Sequence, residues 1–170
     1  MASILQGDYL ITGNLSANSM SLPSGGVKDT NVASGAAIAA SKLIHEVTSK
    51  YQQNSNAAVV NDNQYAHIVN GATCTLAYVK AAVDTVATGA DRTVNIDLQR
   101  STGGAAFATV LSSTILFNNA STARTVVSGA INTATLAQGD ILKWVVTVAG
   151  AAGNQAIGVI AEAFFQEAAQ

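Results

Sequence analysis

The chain has 170 residues, of which 49% are hydrophobic, 11% charged and 5% aromatic, with a formal net charge of −2. That length suits one ordinary domain, or one domain with a short appendage. The charge balance excludes the basic stripe that nucleic acid requires, and the single cysteine, Cys74, excludes an internal disulfide or a cysteine-built zinc site.

Residues 1–33 read as an arm. Ile4, Leu5, Tyr9, Ile11, Leu15, Met20 and Leu22 are spaced through a Ser/Asn/Gly-rich background. Two short strands are conceivable there, but neither carries enough apolar surface to fold alone, so the arm is expected to be ordered by docking. Pro23-Ser-Gly-Gly26 marks a break. The opening Met1-Ala-Ser-Ile-Leu-Gln lacks both a basic start and a long apolar core, so no secretion signal is expected and synthesis in a reducing cytoplasm is. No run approaches the ~18 unbroken apolar residues of a membrane span.

Residues 34–56 are expected to form a short helix, Ser34 to Tyr51, followed by the polar linker Gln52–Asn56. Ser34 can cap it, and Ala36, Ala37, Ala39 and Ala40 are strong helix formers. Ala36, Ala40, Leu43 and Val47 fall on one face at helical spacing. That narrow, small-sided stripe suits close packing against a sheet or against identical helices around an axis.

From residue 57 to 170 the period changes to two. In Arg92-Thr-Val-Asn-Ile-Asp-Leu-Gln-Arg100, Val94, Ile96 and Leu98 face one way while Thr93, Asn95, Asp97 and Gln99 face the other. The expected strands are Ala57–Val60, Gln64–Val69, Cys74–Val83, Arg92–Arg100, Phe107–Phe117, Arg124–Ile131, Ile141–Val148 and Ala156–Phe165. Turn signals such as Asn70-Gly71, Gly103-Gly104 and Gln138-Gly-Asp140 separate them. In Ile141–Val148 the positions opposite Leu142, Trp144, Val146 and Val148 are also mostly apolar, which marks a central strand or one at a subunit interface. The expected fold is all-β: a jelly-roll-like β-sandwich preceded by an N-terminal arm and one short α-helix.

The residue types for chemistry are sparse. His45, His67, Asp62 and Ser55 make no nucleophile motif, and both histidines are read as structural. Cys74 reads as a small buried side chain without an activating partner. Asn61-Asp-Asn63 is the densest oxygen cluster, but it lacks the spacing of a calcium loop and reads as a solvated turn. A single tryptophan, on an inner face, argues against a sugar-binding platform. The expectation is a protein without enzymatic activity, cofactor or metal.

Several segments look familiar. Leu22-Pro-Ser-Gly-Gly-Val-Lys-Asp-Thr-Asn-Val-Ala-Ser-Gly-Ala-Ala-Ile-Ala-Ala-Ser-Lys-Leu43 resembles a segment near the N-terminus of tailed-bacteriophage head decoration (cement) and head-fibre proteins. Val94-Asn-Ile-Asp-Leu-Gln-Arg100, Val110-Leu-Ser112 and Leu136-Ala-Gln-Gly-Asp-Ile-Leu142 leading into Val145–Val148 continue the resemblance, which spans roughly residues 20–165. It implies a trimeric β-sandwich on the outer face of an icosahedral shell, anchored through its N-terminal part to the major capsid protein. It also implies a location on the virion after assembly in the host cytoplasm, and no catalytic residues. On that basis Ile4, Leu5, Tyr9, Ile11, Leu15, Met20 and Leu22 are expected capsid contacts, and Ala36, Ala40, Leu43 and Val47 oligomer contacts. A different expectation, a receptor- or glycan-binding head of a fibre or spike, needs an exposed aromatic side chain or a calcium-bearing loop.

Overall fold

The computed structural model describes residues 44–150 and 154–168. They form ten strands: β1 (Ile44–Gln52), β2 (Asp62–Ile68), β3 (Thr73–Thr85), β4 (Thr93–Ser101), β5 (Ala108–Thr109), β6 (Ile115–Phe117), β7 (Val127–Ser128), β8 (Thr135–Ala137), β9 (Ile141–Ala149) and β10 (Ile157–Ala168). There is no helix among the described residues. The strands make two five-stranded sheets, and every pairing is antiparallel. Sheet A runs β1-β10-β3-β7, with β8 also on β3; sheet B runs β2-β9-β4-β5, with β6 also on β4.

The alternation read from the sequence is what closes the sandwich. Val94, Ile96 and Leu98 of β4 and Leu142, Trp144 and Val146 of β9 are buried on the inner side of sheet B. They meet Leu76, Val79, Ala81 and Val83 of β3 and Val159, Ala161, Ala163 and Phe165 of β10 from sheet A. Each sheet contributes two large buried rings, Tyr51 and Phe165 from sheet A and Trp144 and Phe117 from sheet B, set among smaller aliphatic side chains.

The largest correction concerns residues 44–51. They are not the second half of a helix but β1, paired from Ile44↔Ala168 to Gln52↔Ile160 with β10. The physical reason lies in the other face of the pattern. Ser49 and Tyr51 alternate inward and are buried, while Thr48, Lys50 and Gln52 face outward. Pairing a nine-residue strand along a ready sheet edge outweighs a helical stripe of one leucine, one valine and alanines. Residues 34–43 lie outside the described residues, as does the arm.

Smaller corrections follow the same logic. Ala57–Val60 is no strand and touches the sheet through one bridge, Ala58↔Ile157. Phe107–Phe117 breaks into β5 and β6, because Val110 and Leu111 are both buried and cannot obey a two-residue period. Of Arg124–Ile131 only β7 is strand, and the short β8 was not foreseen. β9 is central in sheet B, one of the two readings of its greasy outer positions.

Candidate interaction surface

The outer face of sheet B is built in rows across the strands. Tyr65 of β2 stands beside Lys143 of β9, which stands beside Gln99 of β4 and then Thr109 of β5. The next row is Asn63, Val145 and Asp97. Toward one end Ile68 stands beside Ile141. A register shift between Tyr65 and His67 puts Tyr65 and Ile68 on the same face although they are three residues apart. Such a bulge re-aims a strand's side chains.

The exposures are high for apolar side chains: Tyr65 72%, Ile68 56% and, from β6, Leu116 46%. The Tyr65 and Phe107 rings lie 6.3 Å apart, and the Lys143 ammonium sits 4.3 Å from the centre of the Phe107 ring. Asp97, by contrast, is buried; its carboxylate accepts from Thr109 Oγ1 at 2.5 Å and Gln99 Nε2 at 3.0 Å. The face therefore presents an aromatic and aliphatic strip beside one cation whose charge lies over a ring.

The outer face of sheet A is of another kind. Tyr78 and Phe164 stack at 5.3 Å, and Tyr78 donates to Glu162 at 2.6 Å. That bond, together with partial burial and the Glu162 charge, pushes the phenol up. Lys80 lies over the Tyr78 ring, Lys50 sits 3.8 Å from Glu162, and Arg124 bonds Asp84 at 2.8 Å. The Arg124 bond and charge hold the Asp84 carboxyl below the usual range. A shallow groove floored by Ala82 and Ile160 and edged by Val126 runs between these pairs.

The residues singled out for chemistry have structural partners. Asp62 accepts from Tyr51 Oη at 2.9 Å and from the Asn63 amide at 2.8 Å, while Asn61 Oδ1 accepts from the Val148 amide at 2.7 Å. The side-chain oxygens of Asn61 and Asp62 are thus engaged, Asn61 with β9 and Asp62 with Tyr51 of β1 and the neighbouring amide. Burial, only partly offset by the Gln53 bond and reinforced by Asp62, pushes Tyr51 up to about 12. No group of three or more His, Cys, Asp or Glu side chains suited to a metal ion occurs among the described residues. His67 points inward, stacks on Phe165 and pairs with Glu167. Cys74 is buried, and burial followed by the Glu167 and Asp140 charges raises its thiol to about 11, far from a thiolate nucleophile. No helix among the described residues is long and apolar enough to cross a membrane.

Of the expected contact residues, Ile4, Leu5, Tyr9, Ile11, Leu15, Met20, Leu22, Ala36, Ala40 and Leu43 lie outside the described residues. Val47 lies in β1 opposite Phe165 and packs against the core. The strip on sheet B was only half visible beforehand. Ile141 and Val145 stood out as outward apolar positions, but Tyr65 and Ile68 share a face through a bulge that residue order does not reveal.

No protein-family model matches the chain, and no curated protein does either. Among solved structures, the capsid of Ralstonia phage GP4 is similar over 75% of this chain and 85% of that one, at 18% identity and a TM-score of 0.48. A structure of Desmodium yellow mottle tymovirus is similar over 97% of this chain and 96% of that one, at 8% identity and a TM-score of 0.34. Both neighbours come from viruses.

Proposed function

We propose that the chain is a structural virion protein that binds the outer surface of a bacteriophage capsid and stabilises it by bridging shell subunits. The observation that carries this reading is the set of exposed apolar side chains, Tyr65, Ile68 and Leu116, on the outer face of a sheet whose inner side is already filled. Large apolar side chains left open on one face of a charge-poor protein suit an adhesive surface. The strand order supports the same reading. The order β1-β10-β3-β7/β8 over β2-β9-β4-β5/β6 supports a jelly roll of two interlocked Greek keys, an architecture that capsid and lectin domains both use. The resemblance of residues 22–43 to decoration proteins supplies the shell as the partner.

In this reading the arm, through Ile4, Leu5, Tyr9, Ile11, Leu15, Met20 and Leu22, grips the major capsid protein. Ala36, Ala40 and Leu43 bring three chains together. A trimer presents three arms at once, so individually weak contacts add through multivalency. The protein performs no catalysis and needs no cofactor. The test is co-sedimentation with empty shells. The full chain pellets with them, and a chain lacking residues 1–24 stays folded but remains in the supernatant. Failure of the full chain to bind refutes the function; retained binding by the truncated chain refutes the role of the arm.

A second reading, a glycan-binding head, gains one observation: the Tyr65 and Phe107 rings lie together on an open face beside Lys143. Glycan-array binding lost on Tyr65→Ala would favour it over the shell.

A further inference from the structure

At one end of the sandwich a single carboxylate joins the two sheets. His67 enters from β2 in sheet B, and Glu167 from β10 in sheet A. One Glu167 oxygen meets His67 Nε2; the other accepts the Gly71 amide at 3.0 Å. The loop from β2 to β3 is thereby pressed onto β10. A Cβ on Gly71 would lie 2.3 Å from the Ala168 carbonyl oxygen and 2.9 Å from Glu167 Cβ, so the backbone approach needs glycine here. Glu167 is buried, and its neighbour across β3 in the register is the buried Cys74.

We infer that Glu167 is an acid-operated latch: ionised, it fastens β2 and the 70–72 loop to β10, and protonated, it frees the loop and uncovers Cys74. The charged and titratable groups around it are few. His67 faces it from β2, Cys74 from β3, and His45 occupies the opposing position on β1. Asp140, in the turn before β9, acts on the same Cys74 thiol. Its backbone carbonyl accepts the Val69 amide at 2.9 Å, and Val69 in turn accepts from Gly139 at 2.9 Å. Those two bonds leave the loop hinged at Val69 when the Glu167 contacts go.

The sign is fixed by the site. Burial pushes the Glu167 carboxyl up, but the bonds from His67, Gly71 and Asn70 and the His67 charge outweigh it and hold the group below its ordinary value. A carboxyl depressed in the folded state contributes stability above its unfolded value, and that contribution is lost as pH falls through the folded value. The latch therefore stays closed at neutral pH and opens only as pH falls below the ordinary glutamate range, through the depressed folded-state value.

Cys74 is the chain's single cysteine and reports the opening directly. The experiment labels the full chain with 4,4′-dithiodipyridine, which reacts in acid, between pH 7 and pH 3. Rates are normalised to the unfolded chain, with Trp144 fluorescence monitoring the core. The expected result is a labelling rate that climbs by up to about tenfold per pH unit, the one-proton slope, while Trp144 stays buried. Glu167→Gln removes the slope. His67→Gln keeps the carboxylate but loses its imidazole partner and moves the onset to higher pH. A flat rate in the wild type, an unchanged slope in Glu167→Gln, or labelling that merely follows Trp144 exposure overturns the latch.

Discussion

Replacing Ser49 by alanine tests the placement of β1. Ser49 Oγ accepts the Trp144 Nε1 hydrogen at 3.2 Å and donates to the Ala66 carbonyl at 3.0 Å. One hydroxyl of sheet A therefore satisfies two groups of sheet B, and Trp144 is fully buried. The substitution removes a small volume but leaves the indole N–H without a partner away from water. Orphaning a buried donor costs about 1–3 kcal/mol, more than the net worth of the bond itself. The expected loss is about 2 kcal/mol, which for a chain of this size lowers Tm by roughly 4–8 °C in a calorimetric scan. In a double-mutant cycle with Trp144→Phe, which deletes the donor, the two losses should fail to add by about 1 kcal/mol. Were residues 44–51 helical and Ser49 on a solvated side, the alanine variant would change stability by no more than about 0.5 kcal/mol. That outcome, or strict additivity in the cycle, refutes the strand.

Two further substitutions probe a turn that closes the sandwich and the first residues of β10. The buried Asp140 carboxylate accepts the Ala137 amide at 2.9 Å and Thr102 Oγ1 at 2.7 Å, with Arg100 3.6 Å away; Asp140→Ala should cost about 3 kcal/mol by urea unfolding, because two donors and a cation lose their partner together. Gly158 has φ +57, and a Cβ there would lie 2.8 Å from Ser55 Cα; Gly158→Ala should cost about 2 kcal/mol or more, seen as a lower urea midpoint at unchanged slope.

The strands that could be read in advance are those in which one face is wholly buried for seven residues or more. In β9 every inner position is apolar, and in β4 Val94, Ile96 and Leu98 are, with only Arg100 near the end breaking the set, so the two-residue period survives most windows. β1 hid because its inner face carries Ser49 and Tyr51, whose burial depends on Trp144 and Asp62, far along the chain or across a loop. β7 and β8 were hard to see for a different reason: each holds a single core-facing side chain, Val127 in β7 and Leu136 in β8, and one residue has no period. The adhesive strip was half legible. Ile141 and Val145 were marked by being apolar where a one-sided strand is polar, whereas Tyr65 and Ile68 share a face only through a bulge, and Tyr65 meets Phe107 only in the fold. The inter-sheet carboxylate went unnoticed because Glu167 lies 100 positions from His67, and no local pattern links them.

The strand order has a bearing on biosynthesis. β10, last of the described strands to leave the ribosome, lies between β1 and β3, among the first. Until Ile157–Ala168 emerges, both of those strands have a vacant hydrogen-bonding edge, and sheet A has no middle. Closure must wait for contacts between distant parts of the chain, the kind that slow folding most. A nascent chain stalled before residue 157 would have every strand of sheet B but a split sheet A, with open strand edges and an uncovered apolar face, an obvious substrate for a holdase chaperone and a hazard for aggregation.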